Sequence, residues 1–425
     1  MTIAGRNWAG SYEYAAPGLV AARTVEEARA AIRRAHREGG RVRALGTRHS
    51  FTDLPDTTGT LVSVLDLEPD PQLTPAGTVA VSAGVRYGVL AGWLEQQGRA
   101  LHNLGSLPHI SVAGATATGT HGSGLGNGVQ STALRAIEYL GADAEPHRVE
   151  PGDPDFPALA VGLGAFGVVT RVELATQPSY RMRQDVYSGL GWDALLADPR
   201  AVLGAAYSVS VFMSWGAELD GQVWRKARLD RDGEEAPETV LDARRRDDDL
   251  VGIAEGLEVD NLTEQGGRPG PWNLRLPHFR ADATPSAGAE LQTEYFVPFE
   301  LAAEALAALR PLGELIRSRL LVTELRTTAA DDLLLSGSSG RETLAIHFTW
   351  QRDLEGVGAI VPEIEAALAP LGARPHWGKV HGLDAAGIAR VTPGLAAARE
   401  VFERVDPEGM FSNAHLERLG VRLPR

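Results

Sequence analysis

The chain has 425 residues, 44% of them hydrophobic and 23% charged, and 41 basic against 55 acidic side chains leave a formal net charge of −14. Such a length and composition imply a folded protein of two or three domains. The complete lack of cysteine excludes disulfides, thiolate metal sites, cysteine-ligated iron–sulfur clusters and a cysteine nucleophile, and the acidic balance argues against nucleic acid or an anionic membrane as partner, since both need basic patches.

Met1 to Tyr14 is polar and aromatic, with no basic start leading into an apolar stretch, so no targeting leader is expected. Thr24 and Glu27 form a capping box for a first helix in which Val25, Ala28, Ala31, Ile32 and Ala35 recur at helical spacing, and Gly39-Gly40 ends it. A short strand, Val42 to Leu45, runs into Gly46-Thr47-Arg48-His49-Ser50-Phe51. Strands are predicted at Leu61–Leu65 and Val79–Ala83, then a helix from about Tyr87 to Gln97 that Gly98 stops. From Gly105 to Gly128 there are seven glycines in 24 residues, with six Ser/Thr and two His among them. That stretch is expected to avoid regular helix, since each interior glycine costs about 1 kcal/mol relative to alanine. Val168 to Ala175 alternates as a strand, and Pro178 marks a boundary. Ala158 to Val169 is the longest weakly polar run, too short for the roughly 20 residues of a spanning helix. A soluble, cytoplasmic protein is the expectation.

Beyond about residue 180 the character changes. Strands are predicted at Tyr207–Met213 and Gln222–Leu229, followed by a polar stretch of mixed charge, Asp230 to Asp249, read as a solvated loop. Two strand–helix–strand units follow. One comprises Leu291–Val297, a helical region Leu301–Arg317 broken at Pro311, and Leu321–Thr327; the other comprises Leu344–Trp350, a helix from about Pro362 to Leu368, and Arg374–Val380. Tandem units of this kind predict an antiparallel sheet covered by helices on one face. A final helix is placed near Ala396–Val405. The fold class is α+β.

Gly162-Leu163-Gly164-Ala165-Phe166-Gly167 matches the dinucleotide fingerprint literally, but the fingerprint needs a helix after it and a strand follows here. Close packing at a strand start is the better reading. The eleven histidines are dispersed, with no His-Glu-x-x-His and no cysteine, so no metal site is expected. No nucleophile elbow occurs in strand–turn–helix context.

The turn Gly46–Ser50 is a better candidate. A strand ending in a Gly/Thr/Ser turn exposes backbone N–H groups that can cradle phosphate, and His49 lies inside it. Taken alone, that histidine could equally be one satisfied by turn backbone. Ser106, Ser111, Gly114, Thr118, Gly119, Thr120, His121 and Gly122 add a second segment of small donors with open backbone. Together the two could line a long, multiply hydrogen-bonded cofactor such as FAD.

The pairing of Gly46-Thr47-Arg48-His49-Ser50 with Ser111 to Gly122 resembles the vanillyl-alcohol-oxidase-type FAD flavoproteins, and within them the alditol (xylitol) oxidases. Further blocks are Asn7-Trp8-Ala9-Gly10, Ser106-Leu107-Pro108-His109-Ile110, Gly270-Pro271-Trp272, Leu276-Pro277-His278-Phe279-Arg280 and Arg374-Pro375-His376-Trp377-Gly378-Lys379, so the resemblance spans nearly the whole chain. It implies a two-domain FAD-binding fold. Residues 1–180 and 386–425 would bind FAD, and an antiparallel-sheet cap, 181–385, would bind substrate.

By the same resemblance FAD is attached covalently through His49. It is lined by Ala44, Leu45, Gly46, Thr47, Arg48, Ser50, Gly105, Ser106, Ser111, Gly114, Thr118, Gly119, Thr120, His121, Val169 and His376. The family often has glycine where this chain has Arg48. Lys379, Arg326, His347 and Glu324 carry the catalytic expectation, and Ser106, Gln292 and Thr349 join Glu324, Arg326 and Lys379 in binding substrate. Glu324 and Arg326 stand two apart on a strand and so project from one face. Read without the family, the two would be an exposed ion pair. The implied reaction oxidises the terminal alcohol of a polyol by hydride transfer to flavin, with oxygen reduced to hydrogen peroxide. Gly105, where the family places its oxygen gate, has no side chain to block the approach. No obligatory protein partner is expected. A sugar-1,4-lactone oxidase or dehydrogenase on the same scaffold is the nearest alternative; a flavin-binding protein without turnover and a nicotinamide dehydrogenase are more distant ones.

Overall fold

In a computed structural model, the residues described are 4–68, 71–248, 250–253, 259–283 and 290–425. Met1 to Ile3 of the N-terminal stretch and Asp249 of the polar stretch lie outside them. The first helix, Val25–Arg37, begins as its capping box requires: Thr24 accepts from the Glu27 N–H, and Glu27 reaches back to the N–H of Arg23. Ala28, Ala31, Ile32 and Ala35 form its buried face, whereas Val25, counted with them from spacing, stands exposed on the first turn. It leads into a three-stranded parallel sheet ordered Gly18–Ala21, Thr60–Ser63, Val42–Leu45. An antiparallel five-stranded sheet follows, ordered Gln72–Leu73, Thr78–Ser82, Val168–Ala175, Leu134–Leu140, Pro146–Val149.

The third sheet has ten strands, all drawn from residues 181 to 375. Its centre pairs Ser208–Met213 with Leu320–Thr328, that strand with Thr343–Gln351, and the last with Glu290–Pro298, all antiparallel. The register sets Glu324 against His347, and His347 in turn against Glu294. One face carries the apolar cluster of Leu291, Leu325, Ile346, Phe348 and Trp350, packed under Leu306, Leu309, Ile360 and Ile364 of the covering helices. The opposite face presents the polar residues. This alternation along each strand is what the tandem units predict.

Three local expectations change. Val112–Ala117 forms a six-residue helix inside the glycine-rich stretch, because four of its residues are Ala or Val and only Gly114 and Thr116 interrupt them. The helix placed at Pro362 starts at Leu354, where Asp353 accepts the Gly356 N–H, and Pro362 lies within it. The polar stretch after Asp230 contributes two short strands to one side of the large sheet, Ala243–Arg245 and, outside it at the edge, Thr239–Val240, with charges paired locally as Arg228–Asp230 and Arg245–Glu238. Short, charged edge strands of this type discourage pairing with another chain. Among the described residues no helix is long and apolar enough to cross a membrane.

Candidate active site

A single cavity of about 690 Å³ runs between the two small sheets and the polar face of the large one. Its lining includes all but one of the residues expected to hold cofactor or substrate. On one wall lie Ala44, Leu45, Gly46, Thr47, Arg48, His49 and Ser50; on the next, Gly105, Ser106, Ser111, Gly114, Thr118, Thr120 and His121, with Val169 and His376 beside them. Gly119 is the exception. It bends the chain at the end of the short helix with φ +67, its N–H bonded to Thr116 O, and does not reach the cavity. Leu163, Gly164, Phe166 and Gly167 of the fingerprint-like motif also line it, but no helix follows them. A Cβ on Gly162 would stand 2.3 Å from the Phe166 ring and one on Gly167 2.5 Å from Leu140 O, so those glycines serve close packing.

The glycine-rich walls meet at Ser111. A Cβ on Gly46 would fall 2.6 Å from Ser111 Oγ and one on Gly114 2.8 Å from it, while Ser111 N–H donates to Thr47 Oγ1 at 3.2 Å. The two walls are therefore closely packed through Ser111, with no room for a side chain at Gly46 or Gly114. His49 sits at this junction with its ring stacked on Trp8, centroids 5.1 Å apart. Both ring nitrogens are buried without a hydrogen-bond partner, which is rare for buried polar atoms. Burial, helped by the nearby His109, lowers His49 to about 4, so the imidazole is neutral near pH 7 and keeps a nucleophilic lone pair. Arg48 takes φ +65, the conformation glycine adopts most easily. An unpartnered neutral imidazole on the wall of a long cavity lined by small residues fits FAD.

At the far end, Glu294 is the hub. Its carboxylate accepts from Lys379 Nζ at 2.6 Å and from Arg326 Nη2 at 2.6 Å, and His121 Nε2 stands 3.2 Å from Oε1. Burial alone would raise this carboxyl, but the charges of Lys379 and Arg326 outweigh it and hold it well below its usual value. Glu324 behaves the same way: burial opposes its charge, and Arg326 with His278 more than compensates. Lys379 Nζ also lies 2.6 Å from His347 Nδ1, and His347 Nε2 lies 3.0 Å from Thr349 Oγ1. Burial and the Lys379 charge lower His347 to about 4. Arg326 Nη1 reaches Ser106 Oγ at 3.4 Å, which ties the large sheet to the glycine-rich wall. Gln292, two residues from Glu294, donates to Glu290 at 2.6 Å.

Every expected substrate-side residue thus converges on the cavity. Sequence reasoning missed Glu294, His278 and Trp8, all of which line it. Glu294 shares a strand face with Gln292 by the two-residue period, a signal that was present. Among the described residues no group of three or more His, Asp or Glu is arranged to hold a metal ion.

Comparison with known proteins gives the same outline. A family model described as an FAD binding domain matches residues 16–150, and one described as D-arabinono-1,4-lactone oxidase matches 289–419. Alditol oxidase from Streptomyces sp. is 40% identical over 99% of each chain. L-gulono-1,4-lactone dehydrogenase of Mycobacterium tuberculosis is 29% identical, covering 97% of this chain and 98% of its own. The crystal structure of cholesterol oxidase from Brevibacterium sterolicum superposes with a TM-score of 0.77 at 14% identity, over 99% of this chain and 97% of that one, which shows a shared fold. The chain therefore belongs to the alditol oxidase family of vanillyl-alcohol-oxidase-type FAD flavoproteins, and is an FAD-dependent oxidoreductase that uses oxygen.

Proposed function

We propose that this enzyme oxidises the terminal primary alcohol of an alditol such as xylitol or sorbitol to the aldose, with oxygen reduced to hydrogen peroxide. The observation that carries the reading is the set of buried, alternately charged side chains at the far end of the cavity. An uncharged polyol offers a hydroxyl on every carbon, each able to donate and accept, and unpaired polar groups on burial cost about 1–3 kcal/mol apiece. Ser106, Gln292, Glu324 and Thr349 supply mixed donors and acceptors for them. FAD held in the cavity would supply the hydride-accepting chemistry. Residues 1–180 and 386–425 would hold it, with His49 as the covalent attachment point, and 181–385 would cap it.

Lys379 and Arg326 stabilise the alkoxide that develops as the hydroxyl proton leaves, by charge already aimed into a water-poor site. His347 is the titratable acceptor, but its lone pair at Nδ1 faces Lys379 Nζ across 2.6 Å. Proton uptake at Nδ1 therefore requires the substrate hydroxyl to take the place of that bond. Gly105 adds no side chain to narrow the oxygen approach, and an added Cβ would already touch Thr120 Cγ2 at 3.5 Å. We place the enzyme in the cytoplasm, with no obligatory protein partner.

The deciding experiment is an absorption spectrum of the purified protein before and after anaerobic xylitol. Bleaching of the flavin band is expected, and a persistent yellow colour would end the alditol reading. Acid-precipitated wild type should stay yellow and His49→Ala should lose its colour. A lactone oxidase is a second reading, favoured by the D-arabinono-1,4-lactone oxidase match over residues 289–419, where the substrate-side strands lie. Steady-state rates on xylitol and sorbitol against aldonolactones separate the two.

A further inference from the structure

Behind the substrate-facing residues lies a fully buried lysine that the reaction outlined above does not use. Lys226, on strand Gly221–Arg228, is 1% exposed. Its Nζ donates to Leu276 O at 2.6 Å and Pro277 O at 3.0 Å, and stands 3.1 Å from His278 Nδ1. The His278 ring is wedged edge-on against Phe212 and Trp224, at 5.2 and 5.4 Å. Its Nε2 lies 2.7 Å from Glu324 Oε1, which also accepts from Ser210 Oγ at 2.8 Å. The N–H groups of His278 and Phe279 both donate to Ser106 O, at 3.1 and 3.2 Å. One loop therefore touches two residues of the substrate wall, and Lys226 pins that loop.

An ammonium has three protons and no lone pair, so it can only donate. Two of its protons meet carbonyls and the third meets His278 Nδ1, which must accept. The one proton of the neutral ring is then on Nε2 and donates to Glu324 Oε1. Burial lowers His278 to about 4, with Lys226 adding to the effect, so the ring stays neutral. Glu324 Oε2 remains the oxygen available as an acceptor, 3.4 Å from Arg326 Nε.

We propose that Lys226 is a positioning residue for substrate recognition: it holds His278 in its Nε2–H form and so fixes Glu324 as the acceptor for a polyol hydroxyl. The proposal rests on the alditol reading for the identity of the hydroxyl, but not for the state of the ring. It also carries a pH dependence. The groups facing Lys226 and His278 are Glu324 and Arg326 on Leu320–Thr328, Ser210 on Ser208–Met213, Gln184 on Arg181–Leu190, and Arg275 in the loop, itself bonded to Glu264. Burial lowers Lys226 to about 7; the charge of Glu324 opposes this and that of Arg275 adds to it. Above that pH the amine gains a lone pair and no longer dictates the tautomer. A proton shifted to Nδ1 would turn a bare Nε2 against the Glu324 carboxylate, and the acceptor would be displaced.

The test uses holoenzyme of the wild type, Lys226→Met and His278→Gln, with xylitol as substrate. KM should rise about ten- to a hundredfold in each variant, the range for losing a hydrogen bond to a charged group, with kcat changed far less. The wild-type KM should climb above about pH 7 and the Lys226→Met KM should not. Histidine-selective ¹⁵N spectra of the wild type, with His278 assigned by its loss in His278→Gln, or from the wild-type sequence context if that variant does not fold, should show a protonated Nε2 and a bare Nδ1. A protonated Nδ1, or a Lys226→Met KM within twofold of wild type, would overturn the proposal. If the wild type ignores xylitol, the alditol reading fails and the spectrum alone decides the positioning role.

Discussion

Replacing Glu294 by glutamine tests the hub at constant shape. The buried cluster holds two carboxylates, Glu294 and Glu324, against two cations, Arg326 and Lys379, and the substitution leaves it one positive charge in excess. Glutamine can accept from one cation through its oxygen, but must turn its NH₂ group toward the other. Breaking a buried pair from one side costs about 3–5 kcal/mol. Unfolding entropy of about 2.1 cal/mol/K per residue, over 425 residues, makes that a fall in Tm of about 3–6 °C. The kinetic effect should be larger. Arginine does not give up its proton, so Lys379 must. Its pKa is already lowered by burial, with Glu294 opposing the shift, and removing Glu294 moves it further down. Lys379 would then give up its proton more readily, and losing one charge aimed at a developing alkoxide costs about 10²–10³ in kcat. Because the competent form is the protonated one, kcat/KM of Glu294→Gln should recover as pH falls below about 7, a range in which the wild type should change little. Thermal unfolding followed by flavin fluorescence, with steady-state rates from about pH 5.5 to about pH 8, reads both effects. A Tm within 1 °C of wild type and an unaltered pH profile would show that Glu294 is not the counter-ion the geometry makes it.

Gly46→Ala should lower the flavin content of the purified protein severalfold, read as the ratio of flavin to protein absorbance, because its methyl would stand 2.6 Å from Ser111 Oγ; adding Ser111→Ala removes that oxygen and should restore much of the content. Acid should destabilise the fold early. His278, His347 and His381 are lowered by burial to about 4, about 4 and about 3, so the unfolded chain binds protons first and stability falls as pH drops from about 6.5 toward 4. At about pH 5.5 the three together cost roughly 4 kcal/mol, offset by about 1 kcal/mol from Asp331, which burial raises to about 6. A Tm that is level between about pH 5.5 and 7 would contradict this. Gly105→Ala should fold and reoxidise nearly normally, since its Cβ has ordinary contacts, whereas Gly105→Leu should slow stopped-flow reoxidation by oxygen more than it slows reduction.

Local patterns carried much of this architecture. The Thr24 capping box, the Gly98 stop and the alternation of Val168–Ala175 are short-range effects, and the structure places all three where spacing put them. The cavity was legible because glycine, serine and threonine crowd into two segments, and a chain gains little by clustering them unless backbone must lie close to something. Glu294 was legible only in part: the two-residue period puts it on the face of Gln292 but says nothing of its charge partners. On a strand, a carboxylate reads as a solvent-facing charge, and only the pairing of Glu290–Pro298 with Thr343–Gln351, and of the latter with Leu320–Thr328, brings two cations to it. Lys226 is a stronger case. Its partners are backbone carbonyls in a loop some fifty residues away, and a charge satisfied by carbonyls leaves no mark in composition or periodicity.

Arg48 shows how a departure from a family pattern can be compensated elsewhere. At φ +65 a residue with a Cβ carries strain of about 1–3 kcal/mol, which glycine would avoid. Its side chain offsets that strain by anchoring the N-terminal segment: Nη1 donates to Ala4 O and to Arg6 O, and the guanidinium lies 5.7 Å from the Tyr14 ring centroid. Trp8 N–H closes the arrangement on Arg48 O at 2.8 Å. The same segment delivers the Trp8 ring onto His49, so the residue that strains the turn also seats the aromatic plate covering the imidazole. Glycine at this position would relax the backbone but remove the guanidinium that ties Ala4 and Arg6 to the turn, leaving the main-chain bond from Trp8 N–H in place.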